Sequence, residues 1–190
     1  MFPTFHYQQD GMDEINQRKW FVAIVKRNTE RACRERLAAK GYESYVASQS
    51  DVRQWRSGKR TTVERVIIPA VIFIHVTEQE RLAVVQEPYI FRFMTDRAGS
   101  TDNFGRHPLA VISDHEMQTL RFILYNTDRP VIFSDTPIRR GDHVRVIRGS
   151  LKGFEGEVMH SGSDTYIVAC VGILGSAMVN IPAEDLIIIR

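Results

Sequence analysis

The sequence predicts an α+β fold: a sandwich of an antiparallel sheet with flanking helices, followed by a small five-stranded β-barrel. Three observations carry this. Short apolar runs rich in aromatic and β-branched residues, such as Trp20 to Val25 and Ile67 to His75, alternate with helical periodicity. Two segments, Thr77-Glu-Gln-Glu80 and Ser113-Asp-His-Glu116, match the capping box that opens a helix. From Ile138 onward helical signals vanish, and five short β runs follow with glycine and proline between them.

Taken in order, Trp20 to Val25 reads as a buried strand. A helix follows, capped by Asn28 or Thr29, with Ala32, Cys33 and Leu37 inward and Arg27, Arg31 and Arg34 on another face, until Gly41 ends it. Tyr42 to Ala47 returns as a strand. Val52 to Trp55 and Thr61 to Val66 flank Arg56-Ser57-Gly58-Lys59-Arg60 as a hairpin with a basic tip. Pro69 belongs at a strand start or bulge, because it cannot donate to a ladder. The capped helices present Leu82, Val84 and Val85 in one case and Met117, Leu120, Ile123 and Leu124 in the other, with a strand over Ile90 to Thr95 between them. Thr127 to Pro137 lacks periodicity and reads as a linker, in which Val131, Ile132 and Phe133 could clip onto a neighbour. The barrel runs are His143 to Ile147, Gly156 to His160, Tyr166 to Val171, Met178 to Ile181 and Leu186 to Ile189. The expected organisation is an extension over 1–17, a first domain over 18–126, a linker over 127–137 and a barrel domain over 138–190.

A chain of 190 residues with 43% hydrophobic and 25% charged residues has ordinary globular composition, and no apolar run approaches the ~18 residues of a spanning helix. Met1 to Arg18 lacks the basic start and apolar stretch of a secretory signal, so a cytoplasmic protein without a membrane role is expected. Charge is unevenly spread. Arg18 to Arg65 holds thirteen basic against five acidic residues, a local +8 that leaves −6 elsewhere in a chain of net charge +2. That asymmetry suits work beside nucleic acid and equally suits a solvated helix face.

Catalysis is not expected. The six histidines are scattered with none in an i, i+4 pair, and no phosphate loop, His-Glu-x-x-His or nucleophile elbow occurs. Cys33 and Cys170 read as core thiols. No metal or cofactor is expected.

The segment from Arg140 to Val158 resembles the KOW motif, through Gly141, Asp142, Val144, Val146, Gly149, Lys152, Gly153, Gly156 and Val158. Upstream, Trp20-Phe21, the Glu30-to-Leu37 helix, Gly41, Glu64-Arg65, Pro69 with Phe73, Pro108 and Ser113-Asp114-His115-Glu116 resemble the amino-terminal domain of NusG. More narrowly, Ile68 to His75, Phe93 to Arg97 and Asn180-Ile-Pro182 look like the UpxY-type specialised paralogues, the antiterminators of capsular polysaccharide operons. Two departures stand out. General NusG proteins carry Phe-Pro-Gly-Tyr where this chain has Ile68-Pro69-Ala70-Val71, and Phe-Gly-Arg where it has Leu174-Gly175-Ser176, which bears on contacts with Rho or a small-subunit ribosomal protein.

The resemblance implies a NusG-type α/β sandwich and an SH3-like KOW barrel in a factor that binds RNA polymerase beside the clamp and promotes read-through of long operons. The alternatives are a general NusG-like elongation or termination factor and a ribosome-associated KOW protein. The second is disfavoured by six basic against six acidic groups from Ile138 to Arg190, since rRNA binders are strongly basic. The resemblance further implies a polymerase-binding patch of Trp20, Phe21, Ile67, Ile68, Pro69, Val71 and Phe73, part of which must be core. It places Arg53, Arg56, Lys59 and Arg60 near DNA or nascent RNA at the transcription bubble. A solubilising loop would have the same composition.

Overall fold

The computed structural model describes residues 16–54, 58, 60–135 and 141–189, with the backbone alone at 52–54. All but the last two residues of the expected extension, and the end of the expected linker, lie outside the described residues. The chain divides into two compact units, Met1–Val46 with Ala70–Ile112, and Ala47–Pro69 with Ser113–Arg190.

The first unit is built on β1 (Lys19–Val25), whose apolar run is buried almost throughout and whose two edges are both paired with strands. β5 (Val71–Val76) runs antiparallel to it from Lys19↔Val76 to Ile24↔Val71. β2 (Glu43–Tyr45) extends β5 at one edge, and β6 (Ile90–Phe93) and β7 (Val111–Ile112) pair with β1 on the other side. Helix α1 (Glu30–Ala39) buries Glu30, Cys33 and Leu37, while Ala32, expected inside, is exposed. Its inward face therefore starts from a carboxylate. Glu30 accepts from the Ala70 amide at 2.7 Å, which satisfies a charged group that burial would otherwise penalise. Ala70 needs that anchor because it holds φ 63°, an uncommon conformation for a residue with a Cβ. Pro69 lies just before β5, where its missing N–H costs no ladder bond. Helix α2 (Glu78–Val84) carries the Thr77 capping box, and of its expected apolar face only Val84 is buried.

The second unit holds the hairpin of β3 (Ser48–Gln54) and β4 (Arg60–Val66), helix α3 (Asp114–Asn126) and a six-stranded sheet. Helix α3 starts with the Ser113 capping box and buries the four residues expected, Met117, Leu120, Ile123 and Leu124. β9 (His143–Val146), β10 (Glu155–Ser161), β11 (Asp164–Val171), β12 (Gly175–Asn180) and β13 (Leu186–Ile188) form at the five expected barrel runs. A sixth strand, β8 (Val131–Ser134), joins them by pairing with β12, so the order is β13-β9-β10-β11-β12-β8. The residues expected to clip onto a neighbour do so as a full strand.

Helix α3 packs on β11, and Phe122 stacks on Phe154 with centroids 5.5 Å apart. A buried clasp fastens the hairpin to the chain entering β8. The Gln49 side chain donates to Arg129 O at 2.6 Å and accepts from Val131 N at 3.0 Å, while Arg65 Nη2 donates to Val131 O at 3.1 Å. These contacts group α3 and the hairpin with the six-stranded sheet, a different grouping from the expected domains of 18–126 and 138–190.

Candidate functional site

The segment expected to meet a protein partner is mostly interior. Trp20, Phe21, Ile67, Ile68, Val71 and Phe73 are each 7% exposed or less, and only Pro69 faces solvent. In this conformation the other six are core residues, so the part of the expected patch that belongs to the core is larger than the part left at the surface. Phe21 and Phe73 sit on the paired strands β1 and β5, and helices α1 and α2 pack on β5. Phe21 meets Phe93 edge-on at 6.0 Å and has the Arg81 guanidinium 5.9 Å from its ring centre. Trp20 stacks on His75 at 4.6 Å, and His75 Nδ1 lies 2.9 Å from Glu43 Oε2. Val71 pairs with Ile24 at the end of β1, and the Ile67 amide donates to Ala47 O at 2.7 Å.

Of the four basic residues assigned to nucleic acid, Arg60 is exposed at the start of β4 and Arg53 lies in β3 opposite Thr61. Arg56 and Lys59 lie outside the described residues. The basic residues of the first unit are in part engaged: Lys40 with Glu87, Arg18 with Glu80 at 2.6 Å, and Arg36 over the Tyr89 ring at 5.3 Å. Hydrogen bonding to Glu87 raises the Lys40 ammonium above its ordinary value.

The KOW residues form one turn and its supporting strands. Val144, Val146 and Val158 are buried, and Lys152 is exposed. Two different demands select glycine here. Gly153 holds φ 88° while its amide donates to Val146 O at 2.8 Å, whereas a Cβ on Gly141 would stand 2.5 Å from Val158 O. Positive φ explains the first and close backbone approach the second.

A cleft of about 270 Å³ opens in the second unit beside His115, Glu116, His143, Glu155 and Cys170. Its acids serve the fold: Glu116 accepts from Gly172 N at 3.0 Å and completes the Ser113 cap, and Glu155 pairs with Arg145. Among the described residues no group of three His, Cys, Asp or Glu is placed to hold a metal, and no helix is long and apolar enough to cross a membrane.

Sequence reasoning passed over Phe104, which stands exposed on the loop between β6 and β7. Its signal was the Asp102-Asn-Phe-Gly105 turn composition, which marks a shaped tip.

Comparisons with known proteins bear on what these surfaces serve. Among curated proteins no relative matches the sequence. Of the solved structures, one describing domain interaction in Thermotoga maritima NusG is 14% identical, covering 92% of this chain and 98% of that one, with a TM-score of 0.45. The MjSpt4:Spt5 complex in conformation A is 12% identical, covering 90% and 98%, with a TM-score of 0.29. The KOW motif family matches residues 140–161. The NusG family, described as transcription termination factor nusG, matches residues 18–121, more than half of the 190 residues. The chain therefore belongs to the NusG family.

Proposed function

We propose that this protein is a transcription elongation and antitermination factor that binds RNA polymerase beside its clamp and promotes read-through of long operons. The supporting observation is the order of modules, a NusG match over 18–121 followed by a KOW match over 140–161. Within the family we place it with the UpxY-type paralogues of capsular polysaccharide operons, on the strength of Ile68 to His75, Phe93 to Arg97 and Asn180-Ile-Pro182. It acts in the cytoplasm by binding, and no bond is made or broken. The polymerase-binding segment is the one expected over 18–126, although its hairpin and α3 group with the second unit. The KOW strands work as a closed SH3-like barrel over 138–190, a module suited to taking a protein partner.

Polymerase contact centres on Pro69, the exposed member of the apolar segment. An interface needs an apolar core. Arg53, Arg56, Lys59 and Arg60 meet phosphates of DNA or nascent RNA, contacts that position the factor without reading sequence.

Full-length protein should pull down core RNA polymerase without nucleotide, and in reporters it should raise read-through across terminators. Failure to associate with polymerase would remove the proposal. Lower read-through at every terminator would instead support the termination role in the matched family's description.

A further inference from the structure

Between β6 and β7 the chain of the first unit leaves the sheet as a closed loop. Thr95 bridges Leu109, and the Asp96 amide donates to Pro108 O at 2.8 Å, which fixes the base. At the tip the Asp102 amide donates to Arg106 O and the Gly105 amide to Asp102 O, both at 2.9 Å. The Asp102 carboxylate locks this turn from inside. Its Oδ1 accepts from the amides of Phe104 and Arg106, and its Oδ2 from Arg106 Nε, each at 2.9 Å. Gly105 supplies the φ of 74° that the turn requires. The product of this bonding is a ring held in water: Phe104 is 83% exposed, with the Arg106 guanidinium 5.1 Å from its centre on one face.

We propose that this tip is a stacking platform for an unpaired base of single-stranded nucleic acid. The inference rests on the reading of the chain as a factor working beside nucleic acid. A lone exposed phenylalanine is by itself ordinary. What sets this one apart is a turn whose bonds fix the backbone that carries the ring before any partner arrives, so that binding has little of the loop left to order. Its surroundings choose the partner. From Arg97 to Pro108 the loop holds no other large apolar side chain, so it lacks the ring of apolar neighbours that shields a protein hot spot. A base, by contrast, presents one π face of the size of one ring, and an arginine beside the aromatic adds to that stack. The donors Arg97 and Asn103 belong to the same loop, while His107 Nδ1 lies 3.3 Å from Gly99 O and Asp96 and Asp102 are occupied by backbone amides of the loop itself.

The test measures binding of full-length protein to labelled oligothymidylate DNA and oligouridylate RNA of about 12 nucleotides. Phe104→Ala should weaken binding about 5- to 100-fold. Phe104→Trp should restore it, and the new indole emission should be quenched on adding the strand that stacks. Asp102→Ala, which keeps the ring and frees the turn, should weaken binding several-fold. The DNA and RNA arms identify which strand is taken by which one shows the dependence on Phe104. Wild-type affinity of Phe104→Ala for both strands would overturn the proposal, as would failure of the wild type to bind either. A loss confined to polymerase free of nucleic acid would also overturn it and mark the tip as a protein contact. Polymerase pull-down by the wild type, run in parallel, tests the proposed function separately.

Discussion

The Gln49 clasp gives the most quantitative expectation. Gln49 lies 7% exposed in β3 and serves partners about eighty positions away along the chain, accepting from Val131 N and donating to Arg129 O. In Gln49→Leu the volume is nearly kept and both partners are orphaned. A buried backbone group left without a partner costs about 1–3 kcal/mol, so two cost about 2–6 kcal/mol. Arg65 offsets little, because its guanidinium already donates to Val131 O at 3.1 Å. Burying the added apolar surface returns about 1 kcal/mol. A net loss of about 1–5 kcal/mol corresponds to a fall of about 2–20 °C in the unfolding midpoint of a chain this size. Thermal denaturation followed by circular dichroism measures it, and hydrogen exchange should show the Val131 amide losing protection ahead of the core of β1. A midpoint within about 1 °C of wild type, with that amide still protected, would show that the clasp carries no stability and that the reasoning is wrong.

Three further outcomes follow from the same structure. Gly175→Ala should destabilise the second unit by at least about 1–3 kcal/mol and release β8 from β12, visible as loss of exchange protection over Val131–Ser134, because a Cβ there would stand 2.1 Å from Ser134 O. Leu120→Ala, on the fully buried face of α3, should cost about 2–5 kcal/mol in denaturant titration; a loss under about 1 kcal/mol would place that face at a surface. The loop tip and the Lys40 pair should respond to pH in opposite directions. Amide bonds from Arg106, followed by Phe104, hold the Asp102 carboxyl below its ordinary value, so that contribution is present at neutral pH and fades as acid protonates it; the Lys40 ammonium is raised, so its pairing with Glu87 holds at neutral pH and fades as alkali removes the proton. NMR titration of the Phe104 amide and the Lys40 side chain reads both.

Much of the fold was legible because its signals are local. Both capping boxes form as read, and Met117, Leu120, Ile123 and Leu124 share the face that the 3.6 period assigns them. Where tertiary pairing decides, the reading fell short. β7 is two residues long and exists because Phe21 and Trp20 offer it an edge, and β8 lies in a proline-flanked stretch with no strand period of its own. Ala32 and Leu82 fit the apolar pattern and are exposed, since α1 is anchored through Glu30 and α2 buries only Val84. For the site the difficulty is of another kind. An apolar run such as Ile67 to Phe73 has the same composition whether it lines an interface or fills a core, and only the structure reveals that five of its seven residues are buried while Pro69 is exposed. Gln49 and Phe104 carried no periodic signal, because one acts through partners distant in sequence and the other through a turn.

The central claim, that this NusG-family chain joins the transcribing polymerase and favours continued elongation, is tested most directly by single-round transcription through a terminator with purified core RNA polymerase, with and without full-length protein. Added protein is expected to remain with the elongation complex and to raise the fraction of full-length transcript, and Pro69→Glu is expected to abolish both effects while leaving the unfolding midpoint unchanged. Unaltered termination with no protein retained on the complex would contradict the account.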